Sequence, residues 1–259
     1  MTYETLRLDT RGPVLDITLN RPPVNALNLQ MLEELTSAFE TECAAESVRA
    51  VVIAAEGRVF IAGADVRSFA EHDPDTGPHA LIRLGNDLFN TMEAYAKPII
   101  AAVNGPCLGG GNELAMACDL RLASESASFG QPEVRLGLLA GWGGLQRLPR
   151  LVGRGRALDL LLTGRTVDAR EAWTMGLVNE VVEPECLSGR AEELAQSLAS
   201  LPPLSLDLTK ARVARGLSAP QGQAIRDDEW AFNELLASED GHEGVNAFLE
   251  KRSPVWKGR

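Results

Sequence analysis

Residues 104–119 read NGPCLGGGNELAMACD, and the strand, turn and helix that they predict decide the fold class. Three glycines, Gly109–Gly111, interrupt an apolar run, and Glu113 follows where the helix begins. Backbone N–H groups in the first turn of a helix lack intrahelical partners, and glycine lets a ligand come close to them. Two interpretations stand: an anion or oxyanion site, or tight packing of the helix on a strand. The glycine spacing does not match the dinucleotide-binding pattern GxGxxG.

The segments before and after this stretch alternate between strand and helix patterns. Short apolar runs indicate buried strands, and they occur at residues 14–22 (paired with 5–8 in a hairpin), 49–57, 97–105 and 119–124. Helical periodicity follows Asn28, which we expect to be an N-cap. The predicted buried face of that helix is formed by Leu29, Leu32, Leu35, Phe39 and Cys43. Strands that alternate with helices predict an α/β protein.

The last third of the chain has a different pattern. After about residue 143, short helical segments end at glycines, and LVNEVV at 177–182 is one more strand. From Pro184 onward the sequence is helical throughout. We therefore predict a core region over residues 1–195 and a helical C-terminal region over residues 196–259.

Composition limits the classes of partner. The net charge of −11 disfavours nucleic acid, because an acidic surface repels phosphate backbones. No run of apolar residues approaches the roughly 20 that a membrane span needs. The first residues show no secretory or transit pattern, so we expect a cytoplasmic protein.

Cysteine and histidine do not indicate a metal site. No CxxC pair occurs, so we expect reduced core thiols at all four cysteines, which are Cys43, Cys107, Cys118 and Cys186. We expect cap or surface roles for the three histidines, His72, His79 and His242. The sequence thus predicts neither a metal nor a redox cofactor.

A second small-residue turn and two acids extend the opening motif. The segment EGRVFIAGADV at 56–66 places Ala64 at the exit of a strand, so its N–H is a candidate partner donor for an oxyanion. Asp65 follows it, and an acid at a helix start is more often a cap than a catalyst. Glu113 and Glu133 would form a general acid–base pair if the fold brings them to one electrophile. Spacing alone does not distinguish them from surface charges.

Five segments, in this order and spacing, resemble the enoyl-CoA hydratase (crotonase) family. They are LNRPPVNALN (19–28), EGRVFIAGADV (56–66), NGPCLGGGNELAMACD (104–119), ASFGQPEVRLGL (127–138) and GGLQRLPRLVG (143–153). The resemblance continues to the end of the chain. It implies a spiral of ββα turns and a C-terminal helical region that mediates trimerisation, as a homotrimer or a homohexamer built as a dimer of trimers.

The resemblance also implies a site for an acyl-CoA thioester. The thioester carbonyl oxygen would lie between the N–H groups of Ala64 and Gly110, and one such donor contributes roughly 3–4 kcal/mol to lowering the barrier. Coenzyme A is then part of the substrate, and no separate cofactor is expected. The remaining contacts to CoA or substrate would come from Val24, Ala26, Ala62, Asp65, Val66 and Lys257.

Within the family, two glutamates favour hydration. Glu113 would deprotonate a water that adds to Cβ, Glu133 would deliver a proton to Cα, and the Gly141 N–H would help to hold the water. The resemblance thus implies an enoyl-CoA hydratase, a hydro-lyase of fatty acid β-oxidation. The alternatives are an enoyl-CoA isomerase, another thioester enzyme of the family, or a silent or RNA-binding relative.

The loop after Glu133 departs from the family pattern. A typical hydratase reads Pro-Gly-Ala-Gly-Gly-Thr-Gln there, whereas this chain reads AGWGGLQ at 140–146. Trp142 either narrows the acyl pocket or packs under the loop, and the sequence leaves both open. We expect the helix around Leu81–Met92, together with Phe69, to border the acyl chain.

Overall fold

The computed structural model describes residues 3–69 and 79–259, and it confirms the α/β class. The strands are β1 (Leu6–Arg11), β2 (Val14–Leu19), β3 (Ala50–Ala55), β4 (Ile99–Val103), β5 (Pro106–Leu108), β6 (Leu120–Ser124), β7 (Ser128–Gly130), β8 (Thr166–Asp168) and β9 (Glu180–Val182). The helices are α1 (Leu29–Glu40), α2 (Ala80–Glu93), α3 (Gly110–Ala117), α4 (Gly144–Val152), α5 (Arg154–Thr163), α6 (Ala169–Thr174), α7 (Leu187–Ala199), α8 (Pro203–Gly216), α9 (Gln221–Ala237) and α10 (Glu239–Glu250). Short 3₁₀ helices cover Val66–Phe69, Pro132–Leu136 and Pro184–Cys186.

Two sheets organise the described part of the chain. The larger has the strand order β1-β2-β3-β4-β6-β9, in which β1 and β2 form the predicted antiparallel hairpin and the other pairs are parallel. The smaller has the order β5-β7-β8. Parallel neighbours require crossovers, and the helices between them supply these. The chain leaves the large sheet at β4, enters the small sheet at β5 and starts α3 at Gly110.

Helix α1 confirms the predicted N-cap and corrects one end of its buried face. The Asn28 side chain accepts a hydrogen bond from the Met31 N–H at 3.0 Å, which is the usual capping geometry. Leu29 is 46% exposed, so its predicted place in the core is wrong. The helix ends at Glu40, and Cys43 is buried from the turn that follows. At helical spacing Leu29 falls outside the buried stripe of α1, which is centred on Met31, Leu35 and Phe39.

Helix α7 covers the face of the large sheet opposite α1. Its buried residues Leu187, Ala191, Ala195 and Ala199 recur every four positions and form a cluster with side chains of β2, β3, β4 and β6. Small alanines let the helix lie close to the strands. The helix runs through residue 195, and the division of the chain at that position stays a prediction.

Most of the expectations for cysteine and histidine hold. Cys43, Cys107 and Cys118 are buried free thiols, whereas Cys186 is exposed at the start of α7 and is not a core residue. His79 caps α2, since its Nδ1 accepts a hydrogen bond from the Leu81 N–H. His72 lies outside the described residues. Within 3–69 and 79–259, no group of three or more potential metal-ligating side chains comes together.

No helix in the described ranges has the length and apolar character needed to cross a bilayer. The longest, α9, has 17 residues and contains several charged side chains.

A buried arginine fixes the C-terminal end of α3. Arg121, on β6, is 4% exposed and donates hydrogen bonds to the carbonyl oxygens of Ala115 and Cys118 at the end of the helix and of Leu177. The Ala115 carbonyl also accepts from the Cys118 N–H at 3.2 Å, so the carbonyls of Cys118 and Leu177 are the ones that depend on Arg121 for a donor. Because α3 is only eight residues long, this contact helps to set the position of Glu113 near its other end.

We predict that Arg121→Met lowers the free energy of unfolding by about 1–3 kcal/mol, because it leaves buried carbonyl groups without donors. Urea denaturation monitored by circular dichroism would measure the change. Arg190→Met is the matched control, since Arg190 forms exposed ion pairs with Glu180 and Glu193; exposed pairs contribute about 0–1 kcal/mol. Equal losses in the two variants would contradict a special role for Arg121.

Candidate active site

A cavity of about 470 Å³ opens at the start of α3 and is largely apolar. It is bounded by the 3₁₀ helix Val66–Phe69, the first turns of α2 and α3, and the segment from Pro132 to Trp142. Both glutamates singled out from the sequence, Glu113 and Glu133, line it. The fold therefore brings together two acids that are twenty positions apart in the chain.

Two backbone turns meet at the same cavity. Ala64 forms an isolated parallel bridge with Leu27, and Gly110 is the first residue of α3. Both line the cavity. Within the described ranges, neither the Ala64 N–H nor the Gly110 N–H donates to another protein group, whereas the neighbouring N–H groups of Asp65 and Gly109 do. The N–H groups of Ala64 and Gly110 are thus two hydrogen-bond donors that border the largely apolar cavity without a partner among the described groups.

Gly109 adopts a conformation that permits this turn. Its φ is +52°, in the left-handed region, and it precedes the first residue of α3. A Cβ at this position would lie 2.8 Å from Oε1 of Glu133. The backbone angle therefore favours glycine, and a Cβ here would also displace the Glu133 carboxyl from its position beside the turn.

Glu113 is an almost fully buried carboxyl, with 1% exposure. Its Oε1 accepts hydrogen bonds from the N–H groups of Trp142 at 2.8 Å and Gly144 at 2.7 Å. The pKa of Glu113 is raised to about 7, mainly by burial and also by the charge of Glu133, while the two amides and the Arg147 charge act in the opposite direction. A carboxyl in this state exchanges a proton near neutral pH.

Glu133 is less enclosed than Glu113. It lies in the 3₁₀ helix Pro132–Leu136, where Pro132 occupies the first helical turn. Burial also raises the pKa of Glu133 above its usual value. With its amide oriented to satisfy its neighbours, the buried Gln131 donates to Oε1 of Glu133 at 3.1 Å and to the Gly109 carbonyl at 3.2 Å. The charge of Glu133 opposes ionisation of Glu113, so the two carboxyls are close enough to influence each other's proton binding.

The loop that binds Glu113 is held from behind by α2 and α4. Arg147, on α4, is nearly buried, and its Nη1 donates to the Trp142 carbonyl at 2.9 Å. Its other nitrogens bind Glu93 at 2.8 Å and Asn90 at 2.8 Å, both on α2. Asn86 likewise donates to the Gly141 carbonyl at 2.9 Å. With the Trp142 carbonyl bound by Arg147 and the Gly141 carbonyl bound by Asn86, the N–H groups of Trp142 and Gly144 are left to face Glu113.

The ring of Trp142 settles the question that the sequence left open about this residue. The side chain is 2% exposed, packs edge-to-face on Phe89 with ring centroids 5.8 Å apart, and donates from Nε1 to the Leu81 carbonyl at 3.1 Å. It is also one of the residues that line the cavity. Trp142 therefore packs under the loop and bounds the cavity at the same time.

Some of the residues predicted to contact CoA or the substrate line the cavity, and others do not. Ala62, Val66 and Gly141 line the cavity, as do Phe69 and, from α2, Ile82. Four of the predicted residues are not among the described residues that line it: Val24, Ala26, Asp65 and Lys257.

Those four residues have other contacts. The Val24 carbonyl accepts from the Ala62 N–H at 3.1 Å, so Val24 adjoins the cavity wall. Asp65 pairs with Arg21 at 2.8 Å and accepts from the Arg67 N–H, which is the cap role considered for it. Arg21 also binds the Ala26 carbonyl. The Lys257 ammonium pairs with Glu239 at 3.0 Å, away from the cavity.

Sequence reasoning missed the groups that hold Glu113 in place. Trp142 was considered only for its size, and Arg147, Asn86 and Asn90 were not considered. An arginine in a helical segment is usually exposed, and asparagine carries no periodic signal. The one available indication was the glycine pair at 143–144 before Arg147, which marks a tight backbone turn.

Comparisons with known proteins agree on one family. Residues 9–259 match a family model described as enoyl-CoA hydratase/isomerase. A short-chain-enoyl-CoA hydratase from Clostridium acetobutylicum is 42% identical over 254 residues, which is 97% of each chain. A crotonyl-CoA hydratase from Syntrophomonas wolfei is 41% identical over 254 residues, again 97% of each chain.

Solved structures give the same picture. The crystal structure of an enoyl-CoA hydratase from Bacillus anthracis superposes with a TM-score of 0.93 at 37% identity, covering 99% of this chain and 100% of that one. An enoyl-CoA hydratase subunit from Geobacillus kaustophilus gives a TM-score of 0.93 at 42% identity, covering 99% of each chain.

We predict that Glu113→Gln makes the folded protein more stable above neutral pH. The folded-state pKa of Glu113, about 7, lies above its ordinary value of 4.5, so the folded state binds this proton more tightly than the unfolded chain does. The stabilisation is complete below pH 4.5 and is lost as the pH rises through 7. At about 1.4 kcal/mol per pH unit, the loss is about 3 kcal/mol.

Urea unfolding of wild type and Glu113→Gln at pH 5 and pH 8 would measure this difference. Glutamine keeps the oxygen that accepts from the loop amides but carries no charge, so it isolates ionisation from packing. Glu46→Gln, on an exposed side chain, is the control for loss of one negative charge. An identical change in stability at both pH values for Glu113→Gln would contradict the raised pKa.

Proposed function

The chain belongs to the enoyl-CoA hydratase/isomerase family, and on that premise we propose that it is an enoyl-CoA hydratase. It is a hydro-lyase that adds water reversibly across the 2,3 double bond of a 2-enoyl-CoA to give a 3-hydroxyacyl-CoA. Coenzyme A belongs to the substrate, and the reaction as we propose it needs no other cofactor.

The observation that carries this proposal is the convergence of two acids and two unused amides on one cavity. Glu113, Glu133, Ala64 and Gly110 all line it. Hydration of a conjugated thioester needs a site for the developing enolate oxygen, an acid and a base. We assign the enolate oxygen to the N–H groups of Ala64 and Gly110. Since the cavity is apolar, each donor is worth more there than in water.

The proposed division of labour follows from the surroundings of each carboxyl. One proton on the pair is the state that hydration requires, because one carboxyl must accept a proton from water and the other must donate one. Two amides donate to Glu113, and hydrogen bonds to a carboxylate favour its ionised form. We assign Glu113, the carboxyl that the two loop amides orient, as the base for water at Cβ, and Glu133 as the donor of the proton to Cα. In dehydration the roles reverse.

The cavity-lining residue Gly141 completes the proposed water site. Its carbonyl is bound by Asn86, so its N–H belongs to the same ordered turn that orients the Trp142 amide. Water held between the Gly141 N–H and Glu113 would be directed at Cβ. We propose that Ala62 and Val66 contact the substrate directly, and that Val24, Ala26 and Asp65 support the loops that border the CoA moiety.

We further propose that the chain assembles as a homotrimer or as a dimer of trimers through its C-terminal helices. Helices α9 and α10 expose large apolar side chains, among them Trp230 at 75%, Phe232 at 67% and Phe248 at 83%. Apolar surface on this scale is typical of association sites. Lys257, on the tail beside α10, would then contact a CoA phosphate across a subunit interface.

We predict that wild-type protein hydrates crotonyl-CoA, and that Glu113→Gln or Glu133→Gln slows the reaction by ~10²–10⁴-fold, the contribution of a general acid or base. Loss of the conjugated thioester absorbance measures the rate. Glu46→Gln, on an exposed side chain away from the cavity and from Arg147, serves as the glutamate control. Full activity in both active-site variants would remove the proposed roles, and migration of the double bond in a 3-enoyl-CoA without hydration would favour an isomerase.

A separate prediction concerns Arg147, which acts on Glu113 through the loop and through its charge. The Arg147 charge lowers the pKa of Glu113, so Arg147→Met moves the acidic limb of the kcat–pH profile to higher pH. It also lowers kcat, by less than the ~10²–10⁴-fold loss for the base itself.

Arg147→Lys is the matched control for these two effects. Lysine keeps the charge but cannot bind Trp142, Glu93 and Asn90 in the same planar arrangement. It should therefore leave the acidic limb near its wild-type position while kcat still falls. Profiles of the Met and Lys variants that superimpose on the wild-type profile would contradict a positioning role.

A further inference from the structure

We propose that the indole ring of Trp142 closes the inner end of the cavity and restricts the enzyme to short, crotonyl-sized acyl groups. This inference rests on the proposed hydratase function, and it adds the substrate class. The proposal depends on three features of Trp142: where it lies along the substrate, how tightly its ring is held, and which side chains surround the space that it bounds.

The position of Trp142 along the substrate follows from its backbone. In the proposed function the carbonyl oxygen lies at Ala64 and Gly110, Glu133 serves Cα, and Glu113 serves Cβ. The Trp142 N–H lies 2.8 Å from Oε1 of Glu113. Trp142 is therefore next to Glu113, the residue that acts at Cβ. The acyl carbon atoms beyond Cβ would contact the part of the cavity wall that Trp142 forms.

The ring fills the space between two helices so closely that both face it with glycine. A Cβ at Gly85, on α2, would lie 2.3 Å from Nε1 of Trp142, and a Cβ at Gly110, on α3, would lie 2.2 Å from Cζ3. Real side chains do not approach to such distances. The indole thus occupies volume that a small residue in the same position would leave to the cavity.

The ring has little freedom to move aside for a longer chain. Its Nε1 is hydrogen-bonded to the Leu81 carbonyl, and the buried Phe89 ring packs edge-to-face with it. Moving it would leave a buried N–H without an acceptor, which is energetically unfavourable. The cavity is largely apolar, and Ile82 and Phe69 line it together with Trp142. The apolar lining of the cavity suits a small hydrocarbon group. Because the indole ring is held rigidly, it limits the length of the acyl chain that the cavity accepts.

The test compares kcat/KM for four-, six-, eight- and ten-carbon trans-2-enoyl-CoA substrates in wild type, Trp142→Phe and Trp142→Ala. We expect wild type to prefer the four-carbon substrate. The ratio of kcat/KM for ten carbons to that for four carbons should rise about tenfold or more in Trp142→Ala, because one methylene in a pocket is worth about 10–200-fold. Trp142→Phe should raise the same ratio by a smaller factor. If the alanine variant does not fold, the phenylalanine variant alone tests the role of the indole ring.

Phe39→Leu is the matched control for loss of aromatic volume from the core. Phe39 is 2% exposed and packs on Tyr95, and it does not line the cavity. The Phe39→Leu variant should be less stable than wild type, but its ratio of kcat/KM for ten carbons to that for four carbons should not change. A ratio that stays at the wild-type value in a folded Trp142 variant, or a wild type that hydrates ten-carbon and four-carbon substrates equally, would overturn the inference.

The same experiment separates this inference from the proposed function. A wild-type protein that hydrates none of the four substrates overturns the hydratase proposal itself. If wild type hydrates crotonyl-CoA but the Trp142 variants show the same dependence of kcat/KM on chain length as wild type, only the proposed role of the indole ring is overturned.

Discussion

The hydrogen bonds from the Trp142 and Gly144 amides to Glu113 are the interaction on which the rest of the site depends. A carboxyl with 1% exposure cannot rely on water, so the protein must supply its partners. The donors at 2.7 and 2.8 Å come from a loop that is distant in sequence. That loop stays in place because Arg147 and Asn86 bind its carbonyl oxygens. One buried acid thereby fixes α3, α4 and α2 relative to each other.

The glycine run serves packing and site geometry together, which explains why the two interpretations of it do not exclude each other. Gly110 has no room for a side chain, because the Trp142 ring lies against it. At the same residue, the N–H at the start of α3 has no partner among the described groups and borders the cavity. Close packing is what keeps this amide both rigid and uncovered. A preorganised donor of this kind needs no reorganisation when negative charge develops beside it.

The acid–base properties of the pair also come from tertiary structure. Burial raises the pKa of both Glu113 and Glu133, and the charge of Glu133 adds to the rise at Glu113. The loop amides and Arg147 act against this for Glu113 alone. Two identical side chains therefore have different environments, which is the usual route by which a fold assigns an acid and a base.

The sequence by itself determined the α/β order, the hairpin, the Asn28 cap and the start of α3 at Gly110, because these depend on local periodicity, caps and turns. Through its five motifs it also determined the family. Only the tertiary structure decided that Leu29 faces solvent, that Cys186 lies outside the core, and that Trp142 both supports the loop and bounds the cavity. It alone revealed Arg147 as the clamp on that loop. Local patterns report which residues are apolar or helical, whereas these outcomes depend on contacts between segments that no short-range pattern encodes.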